Sequence, residues 1–600
     1  MKKSNKGIPY SIVSPMAAAV VSVAVKSGQE VEQGEIIATV ESMKMQTAIE
    51  SPVAGTVVDL NVTVGETIQS NHEICRVEES IGSNSAVKKT QSKAVDAQDP
   101  LDMLNQELES SLDSSRTKAV TKRHSKGYRT ARENLQQLCD DGSFVEYGQL
   151  AVAAQRDRMS TDKLKSDTAA DGVITGLATI NRDQFGEHAT QVAIVINDYT
   201  VLAGTQGYFH HRKIDRILEQ AKRSFLPVVM YTEGGGGRPG DTDVKIQIAG
   251  LDVPTFATWA SLSGQVPMIA VNNGYCFAGN AALFGCGDIR IATKTSWIGM
   301  AGPAMIEGGG LGNFSPTDIG PIKIQAENGV VDLVADDESH ATELAKQCLS
   351  YFQGDNENWQ CPDQLALREM MPADRRYVYD VRSIITSLVD NESFIELTKA
   401  YGCAVITGFA RIEGRAIGLI ANDCRMLGGA VDAEAAEKTA RFITLCDNFD
   451  IPILSLCDSP GFMVGPASEE QAAVRRMAQL FVAGAKLSTP LVTIFLRKGY
   501  GLGAMAMAGG SFHKPIYSAS WPSGEFGGMG LEGAVRLGFK KELEAVADKE
   551  ERETLFTQLL DQMYERGKAT EAASHLEIDA VIDPADTRGV IVRAFDSRLN

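Results

Sequence analysis

Short alternation of apolar and polar positions marks the start of the chain. Through Ser14–Glu41, valine, isoleucine and alanine recur at near-alternate positions with glycine and serine between the runs, and the rhythm returns through Ser51–Glu78. A period of two predicts half-buried strands, because successive strand side chains point to opposite faces. The segments align without a gap at an offset of 37, and ten of 28 pairs are identical, including Ser14/Ser51, Pro15/Pro52, Gly28/Gly65 and Glu41/Glu78. Two four-strand halves of this kind predict a small pseudo-twofold β-sandwich. Between them lies Glu41-Ser42-Met43-Lys44-Met45, which the symmetry puts at a hairpin tip with Lys44 exposed.

Beyond residue 100 the apolar runs lengthen and helical spacing joins them. Asn197-Asp198 recurs as Asn422-Asp423 at an offset of 225, and that offset holds through Lys213/Lys438, Pro227/Pro452, Gly236/Gly461 and Gly274/Gly499. Each copy predicts a strand (Val192–Asn197; Ile417–Asn422), a helix (about 208–224; 433–449) and a buried strand (Pro227–Tyr231; Pro452–Leu456). A glycine loop follows, TEGGGGRPG at 232–240 and CDSPGF at 457–462. A later strand (Met268–Val271; Leu491–Leu496) ends in NGYCFAGNA or KGYGLGAMA. Strands alternating with helices predict α/β architecture, here two homologous domains in tandem.

Residues 80–100 carry Ser, Lys, Ala, Gln and Asp without aromatics or periodicity, which is linker composition. As a coil about 20 residues have a root-mean-square span near 25 Å, enough for a tethered domain to visit separated sites.

Composition narrows the classes. The 600 residues carry a formal net charge of −19, which argues against general binding of nucleic acid or anionic membrane. No apolar run approaches the 18 or so residues of a membrane span, and MKKSNKGIPY lacks the apolar core of a signal peptide. Ten cysteines form no CxxC pair, so reduced thiols in a cytoplasmic protein are expected, and neither a zinc site nor a disulfide framework.

The glycine loops are not P-loops, since no Gly-Lys-Ser/Thr follows, and they do not fit GxGxxG with an acidic partner. Taken singly, each is a tight turn. Two such loops after neighbouring strands, arranged twice, suit backbone N–H groups that hold an oxyanion. Arg238 and Lys498 lie beside the loops as candidate charges for a phosphate or carboxylate. The run Lys122-Arg123-His124-Ser125-Lys126 reads first as a solvated face, with coenzyme A phosphates as the alternative. His210-His211 looks like a ligand pair, but adjacent histidines point apart and no third ligand is evident, so a structural role is expected and no metal.

Two resemblances follow. SPM…ESMKM…SPVAGTV resembles the biotin carboxyl carrier (biotinyl) domain, in which the lysine of a Met-Lys-Met turn carries biotin. By that resemblance Lys44 is the covalent biotin site, with Met43 and Met45 flanking it; a lipoyl domain shares the architecture but usually flanks its lysine with Asp and Ala. NGYCFAGNAALFGCGD resembles the crotonase-superfamily turn that gives an N–H to a thioester carbonyl. Region 101–600, with DGVITG, NDYTVLAG, FLPVVMYTEGGGGRPG, CDSPGF, RKGYGLGA and WPSGE, resembles the carboxyltransferase (β) subunits of biotin-dependent acyl-CoA carboxylases. The implied organisation is a biotinyl domain (1–80), a linker (81–100) and two crotonase-like domains (101–358 and 359–600).

The implied reaction moves a carboxyl group from carboxylated biotin to the α-carbon of an acyl-CoA. The resemblance assigns the thioester oxygen to N–H groups of Gly235, Gly236, Ala278 and Gly279, and the biotin oxygen to those of Gly461, Gly503 and Ala504. RKGYGLGA has one residue more than the commonest family form, so that match carries an ambiguity of one position. No ATP-binding region is evident; a separate biotin carboxylase subunit and a biotin protein ligase are the implied partners, and a homohexamer the implied assembly. A decarboxylase running the same transfer in reverse is the alternative.

Overall fold

The computed structural model describes residues 9–80, 99–245 and 250–597; most of the expected linker lies outside them. The chain forms two compact units, Met1–Met103 and Leu104–Asn600.

The small unit has eight strands, β1 (Pro9–Val13), β2 (Ala18–Val23), β3 (Glu30–Val31), β4 (Ile36–Ser42), β5 (Met45–Glu50), β6 (Gly55–Leu60), β7 (Thr67–Ile68) and β8 (Glu73–Glu79). They make two four-stranded sheets, in the orders β1-β8-β6-β3 and β5-β4-β2-β7. Each sheet takes two strands from each half of the repeat. Val20, Ile37 and Val40 are buried, and so are their repeat mates Val57, Ile74 and Val77. The hydroxyls of Ser14 and Ser51 each donate 2.7 Å to the carbonyl two residues on, so the repeat reaches the level of single hydrogen bonds. At the β4–β5 hairpin Ser42 pairs with Met45, leaving a two-residue turn. Met43 (φ 51°) and Lys44 (φ 67°) are both left-handed, the twist that closes a two-residue hairpin.

The large unit holds two large sheets and one two-stranded ladder. The first comprises β9 (Val145–Glu146), β10 (Val173–Thr179), β11 (Gln191–Asn197), β12 (Val228–Tyr231), β13 (Met268–Asn272), β15 (Ile289–Thr293) and β17 (Leu333–Ala335), ordered β17-β15-β13-β12-β11-β10-β9. β14 (Tyr275–Phe277) and β16 (Trp297–Gly299) form a separate ladder. The second sheet comprises β18 (Ile395–Leu397), β19 (Val405–Ile412), β20 (Arg415–Asn422), β21 (Ile453–Ser459), β22 (Leu491–Tyr500), β23 (Tyr517–Ser520) and β25 (Ala580–Val581), with β24 (Glu525–Gly527) pairing β22.

Both sheets are parallel from β11 and β20 onward, and antiparallel before. The strands just before the glycine loops, β12 and β21, are buried at every residue, which explains their continuous apolar runs. Helices Tyr208–Ser224 and Ala433–Asn448 follow the matching positions of the two copies.

One apolar core runs from the first sheet into the second, joining Ile194 and Ile291 to Phe409 and Phe442. A buried ionic knot crosses the same boundary. Asp332, just before β17, meets Arg290 of β15 at 3.0 Å and Arg441 of the helix Ala433–Asn448 at 2.8 Å. Burial pushes its carboxyl up, but the two guanidinium groups hold it well below the usual carboxylate range.

Candidate active site

β12 delivers Thr232 and Glu233 into the first glycine loop. Glu233 is buried and takes a bidentate contact from Arg123, at 2.9 and 2.6 Å. The Arg123 guanidinium also lies 4.5 Å over the Tyr128 ring. In the run expected to be a solvated face, Lys122 and Lys126 are exposed but Arg123 is buried. Desolvated charges need a partner, and the loop supplies it.

Beyond this anchor the loop satisfies itself. Gly234 N–H donates to Tyr275 O, Gly235 N–H to Ala203 O, Gly236 N–H to Asn280 Oδ1 and Ala278 N–H to Gly299 O, each at 2.8–3.0 Å. Three of the four expected donors are therefore engaged within the protein. Among the described residues, the N–H groups of Gly237 and Gly279 donate to no protein acceptor. Gly234 has to be glycine, since a methyl group there would stand 2.3 Å from both Asn280 Nδ2 and Gly204 O. Ala278 just before Gly279 has φ 51° and ψ −120°, a conformation that costs a non-glycine residue about 1–3 kcal/mol.

The second copy repeats the pattern at the offset of 225. Asp458 stands where Glu233 does, and Arg497 binds it at 2.9 Å. The Asp458 side chain is fully buried and that of Arg497 is 4% exposed. Val431 N–H donates to Gly461 O and Met463 N–H to Val431 O, as Gln206 N–H does to Gly236 O and Arg238 N–H to Gln206 O. Gly461 N–H donates to Ser459 Oγ at 3.2 Å. Among the described residues, the N–H groups of Phe462 and Gly503 have no acceptor, whereas Ala504 lies in the first turn of the helix Gly501–Met507, four residues after its N-cap Tyr500. Gly503 packs on the loop so closely that a methyl group would come 2.4 Å from the Gly461 carbonyl carbon. β22 runs without a break to Tyr500 and passes directly into the helix Gly501–Met507, where the first copy interrupts its strand between β13 and β14. The extra residue noticed in RKGYGLGA lies at this junction.

Arg238 and Lys498 are tied down rather than free to steer a ligand. Arg238 pairs with buried Asp171 and donates to Thr205 O at 2.7 Å, its side chain 5% exposed. Lys498 Nζ donates to Gly428 O at 2.7 Å and lies 3.7 Å from Asp458. His210 is buried with Nδ1 3.1 Å from Asp171 O, and His211 Nδ1 meets Thr255 Oγ1 at 3.0 Å. Burial, with Arg238 adding to it, pushes His211 down to about 4 and His210 well below its usual value, so both rings are neutral. Beside Gly237 opens a cavity of about 580 Å³ with Gln206, Tyr208, Val244, Leu251 and Val253 in its wall.

Sequence reasoning missed Arg123–Glu233, Asp458–Arg497, Asn280 and Gln206. The signal for the first two was present, since acids stand at 233 and 458, one repeat apart.

Residues 122–600 match the carboxyl transferase domain, and residues 10–77 match the biotin-requiring enzyme domain. The chain belongs to the carboxyl transferase family. This carboxyltransferase is similar to the propionyl-CoA carboxylase beta chain of Saccharopolyspora erythraea, 32% identical over 500 residues that cover 80% of this chain and 89% of that one. It is also similar to the solved structure of a single-chain, multi-domain long-chain acyl-CoA carboxylase, at 49% identity and a TM-score of 0.79. That match covers 98% of this chain, which spans only 56% of the longer one. The transcarboxylase 12S crystal structure, a hexamer with methylmalonyl-coenzyme A and methylmalonic acid bound, matches at 29% identity and a TM-score of 0.71, over 83% of this chain and 94% of that one.

The carboxyltransferase is thus an enzyme that joins a biotin carrier domain and a transferase in one chain. The carrier hairpin fits covalent attachment. Lys44 is exposed at the turn and, among the described residues, makes no hydrogen bond or ion pair. Met43 and Met45, 96% and 72% exposed, flank it with apolar surface that no packing inside the domain explains.

Proposed function

We propose that this chain carries biotin on Lys44 and transfers a carboxyl group to the α-carbon of an acyl-CoA, as carrier and carboxyltransferase of an acyl-CoA carboxylase. The observation that carries the reading is the pairing of unpartnered backbone donors, Gly237 with Gly279 and Phe462 with Gly503, on matching loops of two copies that we take as crotonase-like. Biotin attached to Lys44 supplies the carboxyl group. When the α-proton leaves the acyl-CoA, negative charge moves to the thioester oxygen, and the Gly237 and Gly279 N–H groups receive it. Fixed donors hold a developing oxyanion without reorganising, and each is worth about 2.7–4 kcal/mol of barrier. Phe462 with Gly503 or Ala504 would hold the ureido oxygen of biotin.

The proposed organisation is a carrier at 1–80, a linker at 81–100 and transferase domains at 101–358 and 359–600. A long acyl chain suits the cavity of about 580 Å³ beside Gly237 and the likeness to the long-chain acyl-CoA carboxylase. A biotin carboxylase to load the cofactor, a biotin protein ligase and a homohexameric assembly complete the proposal. Ten unpaired thiols support a reducing, cytoplasmic setting. Among the described residues no helix is long and apolar enough to cross a membrane.

Two measurements test the reading. Intact mass and a streptavidin blot on chain from biotin-replete cells should label the wild type and not Lys44→Arg; an unlabelled wild type, or a labelled variant, overturns the carrier assignment. Bicarbonate-dependent ATP hydrolysis should appear only when a biotin carboxylase is added, and its appearance with this chain alone would remove the need for that partner.

A further inference from the structure

Gln206 occupies an unusual position in the first site. Its backbone is bridged to the glycine loop on both sides of Gly237, through Gln206 N–H to Gly236 O and Arg238 N–H to Gln206 O, both at 2.8 Å. Its side chain extends toward the other free donor: a methyl group built on Gly279 would stand 2.2 Å from Gln206 Oε1. Gln206 thus links the two donors, its backbone bridged around Gly237 and its carboxamide reaching Gly279, and it lines the cavity of about 580 Å³.

Gln206 is 4% exposed, and among the described residues its buried Nε2 has no hydrogen-bond partner. A buried amide left unpaired costs about 1–3 kcal/mol, and native proteins keep few of them. Asn280, the other amide at this loop, is not idle in this way. Its Oδ1 accepts from Gly236 N–H at 3.0 Å and its Nδ2 reaches Gly204 O at 3.4 Å. Because neither end of the Gln206 amide is bonded to a described residue, rotation about its last torsion brings the NH2 to the point that Oε1 occupies.

The duplication supplies an internal control. Val431 matches Gln206 at the offset of 225 and makes the same backbone bridges, yet it has no polar side chain. Gly279 is matched by Ala504. Where the first copy has glutamine and leaves room for it with a glycine, the second has valine and a methyl group. The backbone scaffold therefore does not require an amide at this point.

We propose that the Gln206 carboxamide is a third hydrogen-bond donor to the thioester oxygen in the first site, beside the N–H groups of Gly237 and Gly279. This rests on the reading that the first site holds the acyl-CoA. The α-proton would pass to the ureido nitrogen that has given up its carboxyl group, the C–H electron pair moves through the α-carbon onto the thioester oxygen, and the amide NH2 stabilises that charge without giving up its proton.

The test uses the biotinylated full-length chain with its loading partner and two variants, Gln206→Met and Gln206→Glu. Gln206→Met keeps the length and removes the donor; kcat for carboxyl transfer should fall about 10- to 100-fold while KM for acyl-CoA changes by no more than about threefold. In a separate reading that needs no turnover, the carbonyl stretch of a bound carbon-13 thioester should move to higher wavenumber in Gln206→Met, because a donor has been withdrawn. Gln206→Glu should be slower still near neutral pH and recover as the pH is lowered and its carboxyl regains a proton to donate. A raised KM with unchanged kcat and an unmoved carbonyl band would make Gln206 a wall of the acyl cavity and overturn the proposal. If the wild type itself does not bind acyl-CoA, the site reading fails first, and this inference with it.

Discussion

Where the first site sets Gln206 beside Gly279, the second sets Val431 beside Ala504, on matching backbone bridges. Their anchors differ too. Arg123 reaches Glu233 from a helix 110 positions away, whereas Arg497 comes from the neighbouring strand of its own domain, 39 positions from Asp458. Duplication kept the peptide path and the buried acid, and let the rest drift. A backbone donor is insensitive to side-chain replacement, so the geometry survives while the chemistry beside it specialises.

The largest difference should appear when each buried acid is removed. Glu233→Ala leaves Arg123 with Glu338 still 3.7 Å away, while Asp458→Ala strips both Arg497 and Lys498 of their counter-charge. Breaking a buried pair costs about 3–5 kcal/mol. Asp458→Ala should therefore lose more stability in urea denaturation than Glu233→Ala, and equal losses would mean that Glu338 gives Arg123 no relief.

Donor removal comes next. Ala504→Pro deletes an N–H, whereas Ala504→Gly removes only a methyl group. In the folded, assembled fraction, Ala504→Pro should transfer at least ~100-fold more slowly than wild type, with Ala504→Gly near wild type. Equal rates would make Gly503, whose N–H lacks an acceptor, the second donor.

The buried lysines should behave alike rather than differently. Lys213 Nζ binds Ala170 O at 2.8 Å, and Lys438 Nζ binds Thr398 O and Tyr401 O at 3.0 Å. Burial pushes both down to about 8 from 10.5. Between those values the unfolded chain binds more protons than the folded one, so these groups make stability rise as pH increases from about 8 to 10.5. Denaturation midpoints across that window should climb in wild type and climb less, by similar amounts, in Lys213→Met and Lys438→Met.

The smallest effect belongs to Ala278. Replacing it by glycine relieves the positive φ and should raise stability by about 1 kcal/mol. The converse change in the second copy, Gly503→Ala, meets the Gly461 backbone and should lower it. A melting-temperature comparison of the two variants checks the opposite signs.

Much of this architecture was legible in the chain. The offsets of 37 and 225 foretold both duplications, and the buried strands fell within a residue or two at their starts. β21 and β22 ran on past their expected ends to Ser459 and Tyr500, since strand pairing beyond the apolar run leaves no mark in hydrophobicity. The exposed turn at Lys44 was also readable, because symmetry located it. What the sequence withheld was which N–H groups stay free. Gly235 and Gly236 look as available as Gly237 until Ala203 O and Asn280 Oδ1, from segments more than 30 residues away, are brought against them. Arg123 was hidden for a related reason: its neighbours are solvated, and the acid that buries it lies in another element.

The interleaving of strands in the carrier bears on how such a domain could arise. Advancing every strand by four turns the order β1-β8-β6-β3 into β5-β4-β2-β7, so each sheet is the image of the other. A single 37-residue half could complete neither sheet. It would expose strand edges on both layers, and a chain that short seldom folds unaided. Two free copies could complete both sheets by intertwining, as a symmetric homodimer. An ancestral peptide of this kind would have been an obligate pair, with fusion at the Met43-Lys44 turn turning a concentration-dependent assembly into a domain that folds at any dilution. In that history the lysine marks the seam.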